Sequence, residues 1–368
     1  MEVKGSRELL KEVIDAGLCI LCGGCAGGCP YLLSYQDRIV LLDNCTLSEG
    51  RCYQYCPRTY TDMDAVSQKV FGVPFSKDEV GIVREVFLAR STDAEIHEKG
   101  QDGGTVTTLL SVALAEGIID GAVETKMSDD KTPSGFIARD REELLQCAGN
   151  SYEPSPVLEV LNRVPGESTE RLGVVGLACH VISVSKMKAY PPQNRMDIGN
   201  VKLVIGLFCG WELANGFRQF LQENFDLSQV VKFDIPHHPA HTFDVYTKSG
   251  KKSVELDEIG KFINPACSYC WDMTAEFADI SVGSGRAMFK GWNTVIVRTK
   301  TGAELMDIAK TKRVLETQPI PLESLTHLKE VALNKKKRAL SNIIAKTGDK
   351  KHLLYLGLSE DMVNKLLA

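Results

Sequence analysis

The chain has 368 residues, and its 43% hydrophobic content is enough for about two domains with ordinary apolar cores. Its 43 Lys and Arg against 48 Asp and Glu give a formal net charge of −5, which excludes a general positive field that would attract nucleic acid or an anionic membrane. No apolar run reaches about 18 residues, and MEVKGSRELL lacks the apolar core of a signal peptide. We expect a soluble cytoplasmic protein with no transmembrane segment and no nucleic-acid partner.

Twelve cysteines are the most informative feature of the composition. Because the cytosol keeps thiols reduced, so many cysteines indicate metal or cluster ligation before disulfides. Seven of them fall within residues 19–56, a Gly-rich segment with few long helical or strand patterns. Such a segment buries little apolar surface, so we expect it to need metal for its stability.

The first cysteines of this segment have the spacing of a bacterial-type ferredoxin. Cys19, Cys22, Cys25 and Cys29 form C-x-x-C-x-x-C-x-x-x-C directly before Pro30. In that run, three thiolates bind one 4Fe-4S cluster and the fourth binds a second cluster. A zinc site would usually need only two C-x-x-C pairs and no further cysteine before proline. We therefore predict a ferredoxin-like iron–sulfur domain with two 4Fe-4S sites at residues 1–60.

The second half of the segment is irregular. The ferredoxin pattern predicts two ligand sets, namely Cys19, Cys22, Cys25 and Cys56 for one cluster, and Cys29, Cys45 and Cys52 for the other. The second set lacks one thiolate, and Ser48 or Glu49 stands where the middle cysteine would be. This centre is a 4Fe-4S cluster with an oxygen ligand, a 3Fe-4S cluster, or a cubane completed by a distant cysteine; alternatively, the three cysteines remain thiols.

Residues 61–84 are predicted to be a linker that contains a short helix at TDMDAVSQKVFG. From residue 85 the pattern is that of an α/β domain, with a helix at GGTVTTLLSVALAEG. Strands are predicted at EVFLARS, GAVETKM, ADISVGS, 171–178 and 201–208, a hairpin at FDVYTKSGKKSVEL, and a strand, turn and helix at NTVIVRTKTGAELMDIAKT. The apolar runs 171–178 and 201–208 are typical of strands buried on both faces of a parallel sheet.

Residues 311–368 are predicted to be a helical, Lys-rich C-terminal segment. We interpret its KKKR run at 335–338 as a solvated helix face. The histidines in IPHHPAHTF (His237, His238 and His241) have metal-like spacing, but their Pro-rich loop favours a role without metal. Cys147 has no partner at ligand spacing, so we interpret it as a buried thiol.

The turn Gln101–Thr107, QDGGTVT, stands between a predicted strand and an amphipathic helix. Its small residues allow close approach of a ligand, and the free N–H groups of a helix start favour an anion such as pyrophosphate. The turn lacks the G-x-G-x-x-G spacing, so a simple tight turn with a helix cap is the alternative.

Four further cysteines are expected to meet in the α/β domain. Cys179 and Cys209 each end a predicted buried strand, and open α/β sheets bind ligands at the carboxyl ends of their strands. Cys267 and Cys270 form a C-x-x-C pair just before ADISVGS. We predict that the four hold a 4Fe-4S cluster, although Cys179 and Cys209 alone are also compatible with small buried side chains.

Residues 85–310 resemble the beta-subunit family of coenzyme F420-reducing hydrogenase and F420H2 dehydrogenase. The segments that carry this resemblance, in the family's order, are GGTVTTLLSVALAEGIIDGAV, AGNSYEPSP, GVVGLACHV, IGLFCG, CSYCWDMTAEFADISVG and GWNTVIVRT. The cysteine-rich segment before them is similar to the ferredoxin domain fused to some family members, as in F420H2 dehydrogenase input subunits.

The resemblance implies an α/β flavoprotein domain that holds one FAD beside a 4Fe-4S cluster on Cys179, Cys209, Cys267 and Cys270. The residues implied at the FAD site are Gly103, Gly104, Thr105, Val106, Thr107, Asn150, Ser151, Tyr152, Gly176, Leu177, Ala178 and His180. His180 is either a catalytic group that donates a hydrogen bond to flavin or substrate, or a side chain that fills the place of the family's usual glutamine.

The implied activity is hydride exchange between coenzyme F420 and FAD, followed by one-electron steps through 4Fe-4S clusters, with flavin as the converter. The implied partners are other subunits of a hydrogenase, dehydrogenase or reductase complex, or ferredoxin. The chain departs from the family at GLACH (176–180), where Gly-Thr-Pro-Cys-Gln is common, and at Ser151, where lysine is usual. Two alternatives remain, a ferredoxin-dependent FAD/4Fe-4S reductase of an organic substrate and a non-catalytic electron-wiring subunit.

Overall fold

The computed structural model describes residues 4–43, 45–191, 198–214, 216–236, 239–285 and 289–367. The strands are β1 (Leu32–Tyr35), β2 (Arg38–Leu41), β3 (Thr61–Asp62), β4 (Glu85–Ser91), β5 (Gly121–Met127), β6 (Pro133–Ala138), β7 (Leu172–Leu177), β8 (Val201–Leu207), β9 (Val230–Asp234), β10 (Thr242–Thr247), β11 (Gly250–Glu255), β12 (Ile280–Ser284), β13 (Asn293–Val297), β14 (Leu315–Pro319) and β15 (Leu356–Gly357).

The α-helices are α1 (Ser6–Leu9), α2 (Arg51–Gln54), α3 (Met63–Phe71), α4 (Ala94–Lys99), α5 (Thr105–Ala115), α6 (Arg141–Gln146), α7 (Val157–Arg163), α8 (Ala178–Ala189), α9 (Phe217–Asn224), α10 (Leu256–Gly260), α11 (Lys300–Thr311), α12 (Leu322–Thr347) and α13 (Glu360–Leu367). A π-helical turn follows α1 at Leu10–Ile14, and 3-10 turns lie at Ile198–Asn200, Leu227–Gln229 and Pro265–Tyr269. No helix in the described ranges is both long and apolar enough to cross a bilayer.

An eight-stranded mixed sheet forms the centre of the fold, in the order β14-β4-β13-β12-β8-β7-β5-β6. The four inner strands β12, β8, β7 and β5 are parallel, and antiparallel strands extend the sheet on both sides. The interior position of β7 and β8 follows from their apolar sequences, because strands covered on both faces need apolar side chains on both faces. The predicted α/β class and the predicted strands at 171–178 and 201–208 are confirmed.

Helices cover both faces of this sheet. On one face, α5 and α11 pack against alternate strand residues such as Val175 and Ile205. On the other face, residues such as Val174 and Val204 share a core with α3, α7, α8, α12 and α13. The arrangement is therefore a three-layer α/β/α domain, to which β9, β10, β11 and α9 add a small satellite unit with its own apolar core.

The cysteine-rich N-terminal segment packs directly on α7. It has a small apolar core of its own, which includes Leu9 and Leu32. The Asn162 side-chain amide donates to the carbonyl oxygens of Gly23, Gly24 and Ala26 at 3.2, 3.1 and 2.7 Å. Gly23 has φ +80°, and a Cβ there would lie 2.6 Å from the Glu159 backbone nitrogen, so the close approach requires glycine.

Two short segments differ from the sequence expectations. The predicted linker contains the expected helix, α3, but also β3, which pairs with β15 near the far end of the chain. The C-terminal segment was predicted to be helical, and this is wrong at 315–319, where β14 pairs with β4 and covers an otherwise open sheet edge.

The interpretation of KKKR as a solvated helix face is also wrong. Lys335 and Lys336 are buried, with 4% and 3% exposure, and only Arg338 of the run is exposed. The Lys336 ammonium lies 2.6 Å from Glu276 Oε1 and 4.5 Å from the ring centre of Trp271. Charge composition alone cannot reveal this burial, because it depends on which face of α12 meets the Trp271 loop.

We expect Lys336→Met to lower the free energy of unfolding by about 3 kcal/mol or more, because it leaves the buried Glu276 carboxylate without its partner. Adding Glu276→Gln should recover part of this loss, since no charge then remains buried at that position. Arg338→Met, on the exposed side of the same helix, should change stability by no more than about 0.5 kcal/mol. Urea unfolding of the variants measures these differences, and equal effects for Lys336→Met and Arg338→Met would contradict the expectation.

Candidate functional site

A cleft of about 490 Å³ opens at the carboxyl ends of β7, β8 and β12, where its wall includes Leu177, Leu207 and Ser284. Open α/β sheets bind ligands at this edge. The volume lies within the range of about 300–1,000 Å³ that is usual for small-molecule and cofactor sites. The strand order thus brings together segments that are far apart in sequence.

Most of the predicted cofactor-binding residues line this cleft, namely Gly104, Thr105, Val106, Thr107, Asn150, Ser151, Tyr152, Gly176, Leu177 and His180. Gly103 and Ala178 do not. Gly103 packs against β13, since a Cβ there would lie 2.7 Å from Asn293 Oδ1, and Ala178 is buried in the core. These two residues lie behind the residues that line the cleft.

The N-terminus of α5 forms one side of the cleft. Its N-cap, Gly104, has φ +68°, a left-handed conformation that favours glycine. The Thr105 backbone N–H donates to Asn293 Oδ1 at 3.2 Å. The N–H groups of Val106 and Thr107 have no acceptor inside the helix, because the first turn of any helix leaves its donors unpaired. This end of α5 therefore offers donors and a positive dipole to an anionic group.

His180 is held rigidly in the cleft wall. Its Nδ1 accepts from the Leu177 N–H at 3.0 Å, and its Nε2 lies 3.1 Å from the Ser155 carbonyl oxygen, to which it donates. Burial lowers the pKa of the imidazole to about 4. Both ring nitrogens therefore have backbone partners, and the ring is neutral near pH 7. A Cβ at Gly176 would lie 2.5 Å from His180 Cβ, which explains the glycine there.

Cys179, Cys209, Cys267 and Cys270 come together beside the cleft. Burial raises the pKa of the Cys209 thiol, and Cys267 and Cys270 raise it further through their negative charge. The same holds for Cys179, whose pKa is raised by burial and also by Cys209 and Cys270. Cys209 lines the cleft itself, so the cysteines and the cleft share a wall. Cys179 lies in the first turn of α8 and not at the end of β7.

The N-terminal cysteines lie in two groups, and their assignment as cluster ligands stays a prediction. Cys19, Cys22, Cys25 and Cys56 surround one small cavity. Burial raises the pKa of Cys25, and the other three members of the group raise it further. Burial also raises the pKa of Cys52 to about 11, with further contributions from Cys29 and Cys45. The second group thus contains three thiols, and Ser48 and Glu49 on its loop are exposed.

No three His, Cys, Asp or Glu side chains in the described part of the chain converge closely enough to hold a single metal ion. An iron–sulfur cluster makes a different demand, because each thiolate binds a different iron and the thiolates stand farther apart. His237 and His238 lie outside the described residues, and His241 is exposed, with its Nε2 2.9 Å from Asp257 Oδ1.

Sequence reasoning missed several residues of the cleft, among them Glu124, Cys147 and Glu212. Cys147, predicted to be a buried thiol, is half-buried on the cleft wall. Burial raises the pKa of Glu124 to about 8 and that of Glu212 to about 7. The sequence does contain a signal for Glu124. Its carboxyl group stands in the middle of the strand GAVETKM, where burying a charge costs stability.

Comparison with known proteins gives consistent matches. Residues 86–162 match the family model described as coenzyme F420 hydrogenase/dehydrogenase, beta subunit N-term, and residues 169–323 match its C-terminus counterpart. The chain is 35% identical over 274 residues to coenzyme F420 hydrogenase subunit beta of Methanothermobacter thermautotrophicus, a match that covers 73% of this chain and 96% of that protein.

Two further matches extend the comparison. The coenzyme F420-dependent sulfite reductase of Methanocaldococcus jannaschii is 30% identical over 344 residues, which cover 89% of this chain and 51% of that protein. The chain thus spans about half the length of that relative. A chain in the structure of the F420-reducing [NiFe] hydrogenase complex from Methanosarcina barkeri aligns with a TM-score of 0.64 and 32% identity, covering 73% of this chain and 94% of that one.

We expect Glu124→Gln to change how stability depends on pH. Because burial raises the pKa of Glu124 from its ordinary 4.5 to about 8, the folded chain favours the protonated carboxyl. This contribution is complete below about pH 4.5 and is lost as pH rises to about 8, at up to about 1.4 kcal/mol per pH unit. The glutamine variant should lack this slope.

Urea unfolding at a series of pH values measures the slope in the wild type and in Glu124→Gln. Glu98→Gln, at an exposed position, is the matched control and should keep the wild-type slope. The same slope in all three proteins would show that Glu124 stays ionised in the fold.

Proposed function

The chain belongs to the coenzyme F420 hydrogenase/dehydrogenase beta-subunit family, a family of oxidoreductases, and we propose from this that it is an iron–sulfur flavoprotein subunit of a redox complex. Its proposed activity is to link the two-electron hydride chemistry of coenzyme F420 to one-electron transfer through 4Fe-4S clusters. The observation that carries the proposal is the wall shared by the cleft and the four cysteines at Cys209. A hydride-handling cofactor in this cleft would lie beside a one-electron acceptor.

The residues around the cleft fit a dinucleotide cofactor. FAD, when bound, supplies the exchange of a hydride with the deazaflavin and of single electrons with a cluster. The N-terminus of α5, at Gly104 to Thr107, would receive the pyrophosphate, because its free N–H groups and dipole favour anions. Val175, Leu207 and Val282 provide an apolar floor that excludes water from the cleft.

His180 retains two proposed roles, a catalytic hydrogen-bond donor and a positioning residue. Its contacts favour the second, because both ring nitrogens already bond to the backbone at Leu177 and Ser155. In this role the ring fixes the turn between β7 and α8, and with it the direction in which Cys179 points.

Two of the three cysteine groups contain four thiols, which is the number of ligands that a 4Fe-4S cluster needs. Backbone N–H groups donate to Cys22, Cys56 and Cys267 Sγ at 3.5, 3.4 and 3.4 Å. Such bonds stabilise thiolate ligands and raise cluster reduction potentials. Iron binding would also displace the protons that burial now favours on these thiols. For Cys29, Cys45 and Cys52, a 3Fe-4S cluster and a 4Fe-4S cluster with a non-cysteine ligand are both proposed.

A second candidate function, a ferredoxin-dependent reductase of an organic substrate, is favoured by the charge of the cleft. None of the described residues that line it is Lys or Arg. The carboxyl residues among the described lining residues are Asp102, Glu124, Glu153 and Glu212. Ser151 replaces the family's usual lysine, and its hydroxyl donates to the Glu153 carbonyl oxygen at 3.1 Å. An acidic coenzyme would find little positive charge in this cleft, whereas a neutral or cationic substrate would not need it.

Reduced coenzyme F420 distinguishes the two candidates. We expect the anaerobically purified protein to contain FAD and iron, and the flavin absorbance near 450 nm to bleach when reduced F420 is added, because a hydride donor in the cleft reduces the flavin directly. Reduced ferredoxin is the parallel donor. Bleaching by ferredoxin alone would favour the organic-substrate reductase, and iron without FAD would leave only an electron-wiring subunit.

Cys267→Ser tests the cluster beside the cleft. We expect this variant to lose roughly one cluster's worth of iron while the EPR signals of the N-terminal clusters remain, since their ligands are separate. Cys147→Ser is the matched control, because Cys147 lines the cleft but belongs to none of the three groups, and it should keep the full iron content. An unchanged iron content in Cys267→Ser would remove this cluster from the proposal.

A further inference from the structure

Arg58 is a buried cation with no carboxylate partner among the described residues. The residue is only 5% exposed. The guanidinium donates to the carbonyl oxygens of Ala266 and Tyr269 at 3.2 and 3.4 Å, and it stacks 4.8 Å from the ring centre of Tyr355. Within the described ranges it forms no ion pair with Asp or Glu, although its charge lowers the pKa of Glu212. Burying a cation in this way is costly unless another negative group is nearby.

Arg58 lies between two cysteine groups, and a cluster bound to either group would be such a negative group. Its backbone N–H donates to Cys56 Sγ at 3.4 Å, on the N-terminal side. Its guanidinium binds the carbonyls of the residues directly before Cys267 and Cys270, on the side of the cleft. The two cysteine groups also touch each other here, because Cys22 and Ala266 share a small apolar cluster against which Cys179 packs.

One atom of the side chain points to a bound group. Arg58 Nε is buried and has no hydrogen-bond partner in the described part of the chain. A free N–H at such a depth is unusual in native proteins. The charge of this side chain acts on the cysteines of both groups, namely Cys19 and Cys56 on one side and Cys179, Cys267 and Cys270 on the other. A sulfide or thiolate of a bound cluster would provide the missing acceptor.

Resting on the iron–sulfur function proposed above, we propose that Arg58 is an electrostatic bridge shared by two clusters, which raises the reduction potential of both. A 4Fe-4S cluster with four thiolates carries net negative charge, and reduction adds one more. A nearby cation stabilises the reduced form, and the effect is strong in a buried site of low dielectric. Since a guanidinium does not lose its proton in proteins, the effect is independent of pH.

Two buried lysines provide a comparison, because each lies beside only one of the two groups. The Lys186 ammonium donates to the Cys56 carbonyl oxygen at 2.8 Å, and its charge acts on Cys56 and Cys22. The Lys335 ammonium donates to the Cys209 carbonyl oxygen at 2.7 Å, and its charge acts on Cys209, Cys267 and Cys270. Arg58 contacts both cysteine loops, whereas each of these lysines contacts only one.

The test is an EPR-monitored redox titration of the anaerobically purified full-length protein. Arg58→Met should lower the midpoint potentials of both the N-terminal cluster and the cluster beside the cleft. Each should fall by about 59 mV, which corresponds to a change of about tenfold in the equilibrium constant for one-electron reduction. Lys335→Met should lower only the potential of the cluster beside the cleft, and Lys186→Met only that of the N-terminal cluster. Arg338→Met, at an exposed position, should change neither.

Clusters that are present in Arg58→Met with only one potential shifted, or none, would overturn the bridge. If Arg58→Met does not retain its clusters, Arg58→Lys decides, because it keeps the charge while losing the forked contact with two carbonyls. If both midpoint potentials of Arg58→Lys stay near the wild-type values, the bridge is supported. If both fall, the bridge is contradicted. A wild-type protein without clusters would instead refute the proposed function, which is a separate outcome.

Discussion

The contact of α8 with the cysteine-rich segment is the interaction on which the rest of the arrangement depends. The helix starts in the wall of the cleft, with Cys179 in its first turn, and then runs under the N-terminal loops. The Ser183 hydroxyl donates to the Tyr55 carbonyl oxygen at 2.8 Å, and Lys186 reaches Cys56 and Thr59 one turn later. Because one helix is shared, the distance between the cleft and the N-terminal cysteines is fixed by a rigid element and not by a linker.

Charge burial is concentrated where these parts meet. Arg58, Lys186 and Lys335 are all at most 5% exposed, and their side chains donate hydrogen bonds to carbonyl or hydroxyl oxygens. An arrangement of this kind is unfavourable in an ordinary core, since carbonyl dipoles only partly replace water around a full charge. Negative clusters would offset that cost. With the proposed clusters bound, the stability of this region would therefore be coupled to cluster loading.

The sequence predicts the parts of the molecule whose determinants are local. Residues 171–178 and 201–208 are recognisable as buried strands because a doubly covered strand needs an unbroken apolar run. The two N-terminal cysteine groups are predicted from spacing, since ligand loops there are short. The third group is predicted from two strand ends and a C-x-x-C pair, and most of the predicted cleft residues come from the family resemblance. The proposed domain boundaries and the ligand roles of the cysteines stay predictions.

What the sequence does not predict depends on contacts between distant segments. Lys335 is buried because α12 crosses the cysteine loops, and no local pattern distinguishes it from the exposed Arg338. The strand β14 exists because β4 offers an open edge. The place of Arg58 between two cysteine groups requires both loops to be folded. The pairing of β15 with β3 also joins distant segments, because it brings Tyr355 against Arg58 and pairs Thr61 with Leu356, 295 positions later. During synthesis, this pairing can form only after Gly357 has been made, so the contact between Arg58 and Tyr355 is a late step of folding.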